Sequence, residues 1–301
     1  MKTPFPASKP VLAIAVWITA STLALSESPN FSPVDLVRQT IQNEIKSNNR
    51  GAKFRYRDHK ETTHDSQTKM IIETRQATAG MLIAIDGKPL TAQQLANESA
   101  RLDGLVNNPE ELSRKQKAER DDAERTTRII RALPDAFLYD PDGTAMGQSG
   151  IGEPGKELIR LKFRPNPNYV PPTHTEQVLI GMQGYVLIDA NEHRIAEIDG
   201  TLVRDVGFGW GILGRLDKGG RFVVVQGEVA PGSWEVTRMD LDFKGKELLF
   251  KRINIKSNEV FSDFQAVAPD LTFKQAVEIL KKECGERAEN RKPSSSLPNS
   301  R

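Results

Sequence analysis

The sequence predicts an α+β protein in which a run of antiparallel strands is flanked by helices. Three observations carry this reading. From Ala136 to the region of Phe261 the chain is a succession of short strand-like runs joined by turns. Segments before and after it place apolar residues at helical spacing. Apolar residues make up 38% and charged residues 27% of the 301, which suits a folded chain with a real core.

The first segment reads as an address. Lys2 and Lys9 precede VLAIAVWITASTLA, an apolar run of 14 residues from Val11 to Ala24. That is short of the ~20 residues needed to cross a bilayer. Ala24-Leu25-Ser26 then puts small residues at −3 and −1 for cleavage after Ser26, so residues 1–26 are expected to be a secretory signal peptide. The absence of a cysteine at that point excludes lipidation there. The mature protein is expected to be periplasmic or secreted, with no transmembrane span.

The charge count narrows the partners. Lys plus Arg is 42 and Asp plus Glu is 40, and the first acidic residue is Glu27. Removing Lys2 and Lys9 leaves 40 of each sign, so the basic excess expected of a nucleic-acid binder is missing. A single cysteine excludes an intrachain disulfide framework and cysteine-rich zinc sites.

Ser32 and Pro33 open a helix to about Lys46, with Val34, Val37, Ile41 and Ile45 as its apolar stripe. The period then becomes two. Phe54 and Tyr56 alternate with Lys53, Arg55 and Arg57, and Met70 and Ile72 share a face after a polar turn, which predicts a β-hairpin. Asp86-Gly87 marks a turn after another short strand. Thr91 and Gln94 have capping-box spacing at the head of a helical insert, 91–132. Its second part, Pro109 to Ala132, carries six acidic and seven basic side chains between Glu110 and Arg131. So polar a helix is expected to be solvated along most of its length and supported by ion pairs.

In the strand-rich part, Ile159, Leu161 and Phe163 alternate with Arg160, Lys162 and Arg164. PNPNYVPP reads as a rigid exposed linker. Short connectors such as Lys218-Gly219-Gly220 and Pro231-Gly232 force neighbouring strands to pair antiparallel. Trp234 and Val236 share one face while Met239, Leu241 and Phe243 share the other, which predicts a bulge near Arg238. A helix from Thr272 to about Lys282 closes the domain, 27–285, and residues 286–301 read as a disordered tail.

One strand pair resembles a known family. Gly184-Tyr185-Val186-Leu187-Ile188-Asp189, followed by His193-Arg194-Ile195-Ala196-Glu197-Ile198, is similar to a strand pair of the bacterial outer-membrane lipoprotein-sorting (LolA/LolB-like) proteins. The resemblance spans roughly Val34 to Phe264. It implies a strongly curved antiparallel sheet, an incomplete barrel, with helices over an apolar concave face. It also implies non-catalytic binding of a lipid or lipoprotein acyl chain. The charged helix and the stretch GFGWGILGRLDKGG depart from the family, and no residue is carried over as a ligand contact.

A curved sheet must have its concave side filled, by side chains or by a ligand. Phe208, Trp210, Phe222, Trp234, Phe243 and Phe250 cluster in the second half and are the candidate cavity-lining residues; the competing reading makes them plain core. Other constellations say less. The glycines from Gly209 to Gly214 have a nucleotide-loop spacing, but a strand rather than a helix follows. Asp58, His59, His64 and Asp65 sit close in the first hairpin without a third metal ligand in view. His174, His193 and Cys284 lack a readable catalytic context.

Neither a catalytic residue nor a cofactor or metal is assigned, and the chain is expected not to be an enzyme. The leading expectation is an exported carrier that binds a lipid or other amphiphile. The alternative is an envelope scaffold that docks a protein through its charged helix. A hydrolase would require carboxylates or histidines that converge only in the fold.

Overall fold

The computed structural model describes residues 32–50, 52–208, 214–247 and 251–289. The predicted leader, Trp210 and Phe250 lie outside these residues. Helix α1 (Pro33–Arg50) is followed by strands β1 (Phe54–Thr62), β2 (Ser66–Ile72), β3 (Ala79–Ile85) and the short β4 (Lys88–Pro89). Helices α2 (Ala92–Asn107) and α3 (Pro109–Ala136) come next. Strands β5 (Phe137–Met146) and β6 (Glu157–Pro165) lead to a 3₁₀ turn, Glu176–Gly181. Then follow β7 (Met182–Asp189), β8 (Ile195–Leu202), β9 (Val206–Phe208), β10 (Gly214–Leu216), β11 (Arg221–Ala230), β12 (Ser233–Glu247) and β13 (Lys251–Ala266). Helix α4 (Phe273–Glu289) ends the described chain.

The strands form one open antiparallel sheet in the order β4-β3-β2-β1-β13-β12-β11-β8-β7-β6-β5, with β9 and β10 attached beside β12. The expected α+β class and antiparallel pairing are therefore present. The first hairpin does not stand alone: β1 joins the last strand, with Phe54 opposite Ala266 and Thr62 opposite Ser257. The bulge foreseen near Arg238 is there, since Val225 pairs with Arg238 and Gln226 with Val236, leaving Thr237 extra.

Directly paired residues share a face. From Met70 the partners run through Arg57 to Ser262, then from Val260 through Arg238, Val225, Glu197 and Leu187 to Arg160. This first face carries α2 and α4 at the β1–β4 end, where Met70, Ile72, Met81, Leu102, Phe273, Val277 and Leu280 form a core. Toward β6 it bears polar pairs, among them Arg221 with Asp199 and Arg160 with Asp142, and Arg160 lies 3.7 Å over the Tyr185 ring. The second face takes α1, with Leu36, Val37 and Ile41 packed on Leu161, Val186 and Ile188. It also takes the end of α3, where Ile129, Ala132 and Leu133 meet Phe137, Phe163 and Met182.

The connection from β4 to β5 joins strands at opposite edges of the sheet, and α2 and α3 make that crossing. Asn108 caps α3 by accepting from the Glu110 and Glu111 N–H groups at 3.1 and 3.3 Å. Lys115–Glu119 and Lys117–Asp121, both 2.7 Å, are the expected i,i+4 pairs. The helix runs four residues past Ala132, through Pro134 to Ala136. Its end is held by burial of Pro134 and Ala136 and by capping of its last carbonyls. Tyr139 Oη donates to the Leu133 carbonyl, and Asn166 Nδ2 and N–H donate to those of Asp135 and Ala136, all at 2.9 Å. Asn166 thus gives the proline-rich linker a structural task.

Both sheet edges are guarded. Beside β3, the Leu82 N–H donates to Glu98 at 2.8 Å, Arg101 donates to the Gly80 carbonyl at 2.8 Å, and the Thr78 N–H donates to Glu119. At the other edge β5 carries Asp140-Pro141-Asp142-Gly143, a poor template for a further strand. Helix α4 continues to Glu289, beyond both Lys282 and the predicted start of the tail, through Gly285 and a run of helix formers. Residues 290–301 lie outside the described residues. Among the described helices none is long and apolar enough to cross a membrane.

Candidate functional site

Among the described residues, a groove of about 1130 Å³ opens on the first face, beside α4. Its floor is β1, β2 and β13, which bring Arg57, His59, Thr68, Val260 and Ser262 together. Its wall is built by β3, β4 and the first half of α2, through Ile83, Pro89, Leu90 and Leu95. The Asp86-Gly87 turn, with φ values of 49° and 69°, brings β4 back along β3. The Thr91–Gln94 capping box then starts α2 at once, so that Leu95 faces the groove and Leu102 the core. The result is an apolar wall above a polar floor, the lining expected of a small-molecule site.

Floor polar groups are tied to neighbours. His59 Nδ1 pairs with Thr68 Oγ1 at 2.8 Å and its Nε2 with Glu61 at 3.3 Å. Arg57 reaches Asp263 at 3.1 Å, while its Nε is buried without an acceptor. Of the other hairpin residues, Asp65 bonds to Thr62 and Gln67 in the turn, away from this groove.

A second space, about 790 Å³, lies between α3 and the second face and is polar. Asp58, Lys69, Glu98, Arg101, Lys115, Glu119 and Glu259 line it. Burial, with the neighbouring Glu259 carboxylate, raises the Asp58 pKa to about 6. Burial, with Glu73 nearby, raises that of Glu235 to about 7 against the pull of Lys53 and Arg194. Burial and the same carboxylates also push the Tyr56 hydroxyl upward.

These shifts make stability depend on pH. The folded state holds the Glu235 proton more tightly than the unfolded chain does, and unfolding releases it. The Glu235 contribution to stability is therefore fully present below the ordinary carboxylate range and is lost as pH rises through about 7. Glu235→Gln is expected to flatten that fall and to leave the protein about 1–2 kcal/mol more stable than the parent near pH 8. Urea unfolding at several pH values measures it, and parallel curves for the two proteins would contradict it.

The aromatic residues nominated from sequence are not gathered around one space. Phe208, Phe222 and Phe243 pack with Phe137, Phe163, Leu179 and Met182 beneath the end of α3. Phe222 and Phe243 sit over glycines: a Cβ on Gly200 would lie 2.3 Å from the Phe222 ring, and one on Gly220 would lie 2.5 Å from Phe243. Each ring fills the room its glycine leaves. Trp234 is on the opposite side of the sheet with Leu158, Leu187 and Ala196. His59 and Cys284 were singled out one by one, but the groove that both line was not foreseen, because β1 meets β13 only in the fold. The one local signal was Leu95 on the capped α2.

No family model and no curated protein matches the chain. Solved structures similar to it include the following two. One is a DUF1329 family protein from Desulfovibrio piger, 8% identical, with 83% of this chain and 100% of that chain covered and a TM-score of 0.27. The other is the MucA/MucB complex of Pseudomonas aeruginosa, 9% identical, with 82% and 96% covered and a TM-score of 0.24. Likeness at that level assigns neither a family nor a function.

Proposed function

We propose that the protein is an exported, non-catalytic carrier that holds a lipid or other amphiphile in the groove between α2 and the sheet. The single observation behind this reading is the groove itself. It is large enough for an acyl chain, its wall is mostly apolar, and most of its polar side chains lie on the floor. Export is supported by the leader pattern, and carriage by the resemblance of the β7–β8 strand pair to the lipoprotein-sorting proteins. His59, the one histidine among the described lining residues, has both ring nitrogens engaged, which suits a binding floor better than acid–base work. The scaffold alternative finds less support, since Glu119 of α3 is bonded to the β3 edge and the helix end is packed.

Titration with a fluorophore-tagged fatty acid tests the reading. The parent protein is expected to bind it, and Leu95→Glu, which places a charge on the wall, is expected to weaken binding at least about tenfold. Leu95 is only partly buried, so circular dichroism should show the fold retained. Equal binding by parent and variant would remove the groove from consideration.

A further inference from the structure

We infer that the groove selects single-chain amphiphiles with a carboxylate head and seats that head on Arg57. The inference rests on the carrier reading. Among the described lining residues Arg57 alone has a permanently charged side chain, and none is a carboxylate. Its one acidic partner, Asp263, is more than half exposed, so their pair is weak and open to competition. The Arg57 side chain is 39% exposed, so the guanidinium terminus is open to the groove, and its paired N–H groups match the two oxygens of a carboxylate. His59 is the poorer seat, because Thr68 holds its Nδ1 at 2.8 Å and one ring nitrogen cannot match both oxygens of a carboxylate.

The surroundings orient the chain. Ser262 lies directly across from Arg57, and Val260 directly across from His59, so the floor turns apolar one residue pair away from the guanidinium. Val260 is 36% exposed, an apolar side chain open to the groove. Beyond it the wall offers Ile83, Leu90 and Leu95. A head on Arg57 therefore leaves its tail on apolar surface, whereas the reverse placement would bury a carboxylate against leucines.

Displacement of the tagged fatty acid by laurate, lauryl alcohol and acetate tests this. Laurate is expected to compete about tenfold more strongly than the alcohol, and acetate not at all. Arg57→Gln should erase the preference, bringing laurate down to the level of the alcohol. Asp263→Asn frees the guanidinium and should strengthen laurate binding. Asparagine tolerates the φ of 60° at this position, so the variant should fold. Equal competition by laurate and alcohol in the parent, or a preference that survives Arg57→Gln, overturns the inference and leaves the carrier reading standing. If no chain-bearing ligand binds at all, the carrier reading itself fails.

Discussion

Glu44→Ala is expected to destabilise the protein by about 3–5 kcal/mol, because it strands a buried guanidinium. Glu44 and Arg194 are among the most buried charges of the described residues, with side chains 4% and 7% exposed. The carboxylate accepts from Arg194 Nε and Nη2 at 2.9 and 3.1 Å and from the Ile195 N–H at 2.8 Å. Arg194 also donates to Ser47 at 2.9 Å, and Asn43 donates to the carbonyls of Glu192 and His193. One polar patch of α1 thus fastens the helix to the turn between β7 and β8, over the core formed by Val37, Ile41 and Ile188. Equilibrium urea unfolding gives the size of the loss. The cost comes from the orphaned partner, so replacing both residues with apolar ones should recover much of it. If the single variant loses under 1 kcal/mol, water reaches Arg194 and the clamp is not a buried one.

Gly184→Ala is expected to lower stability by about 2–4 kcal/mol, although it adds a single methyl group. A Cβ at Gly184 would lie 1.8 Å from the Asp199 carbonyl oxygen and 3.0 Å from Gly200 Cα. The obstacle is backbone of the paired strand, so no rotamer change relieves it. Gly184 sits directly across from Gly200, whose own space is taken by the Phe222 ring. The ladder would have to open where β7 and β8 cross beneath the aromatic cluster. A melting temperature several degrees below the parent's is the expected reading. An unchanged value would mean that the strands separate at little cost.

Much of the fold was legible locally. The period of two in β1, β2 and β6, the capping box of α2, the Asn108-Pro109 start of α3 and the face change near Arg238 each depend on residues a few positions apart. Those elements form where the pattern put them. Elements drifted where the deciding contact is distant. Helix α3 ends at Ala136 because Tyr139 and Asn166 cap it, and α1 buries Leu36 rather than Val34 because the sheet meets it from that side. The aromatic set illustrates a further limit. Phe222 and Trp234 are close in sequence, and both are apolar, yet the sheet separates them. A strand's faces are equivalent until its neighbours are known.

By itself the sequence determined the local alphabet: the charge balance, the strand runs and turns, and the capped helices. The tertiary structure alone decided that β1 closes onto β13, that α2 and α3 carry the chain from one sheet edge to the other, and that the groove lies on the face opposite Phe222. Periodicity and capping act through bonds and sterics within a few residues. Strand order and grooves are set by pairings across two hundred residues, which no local pattern encodes.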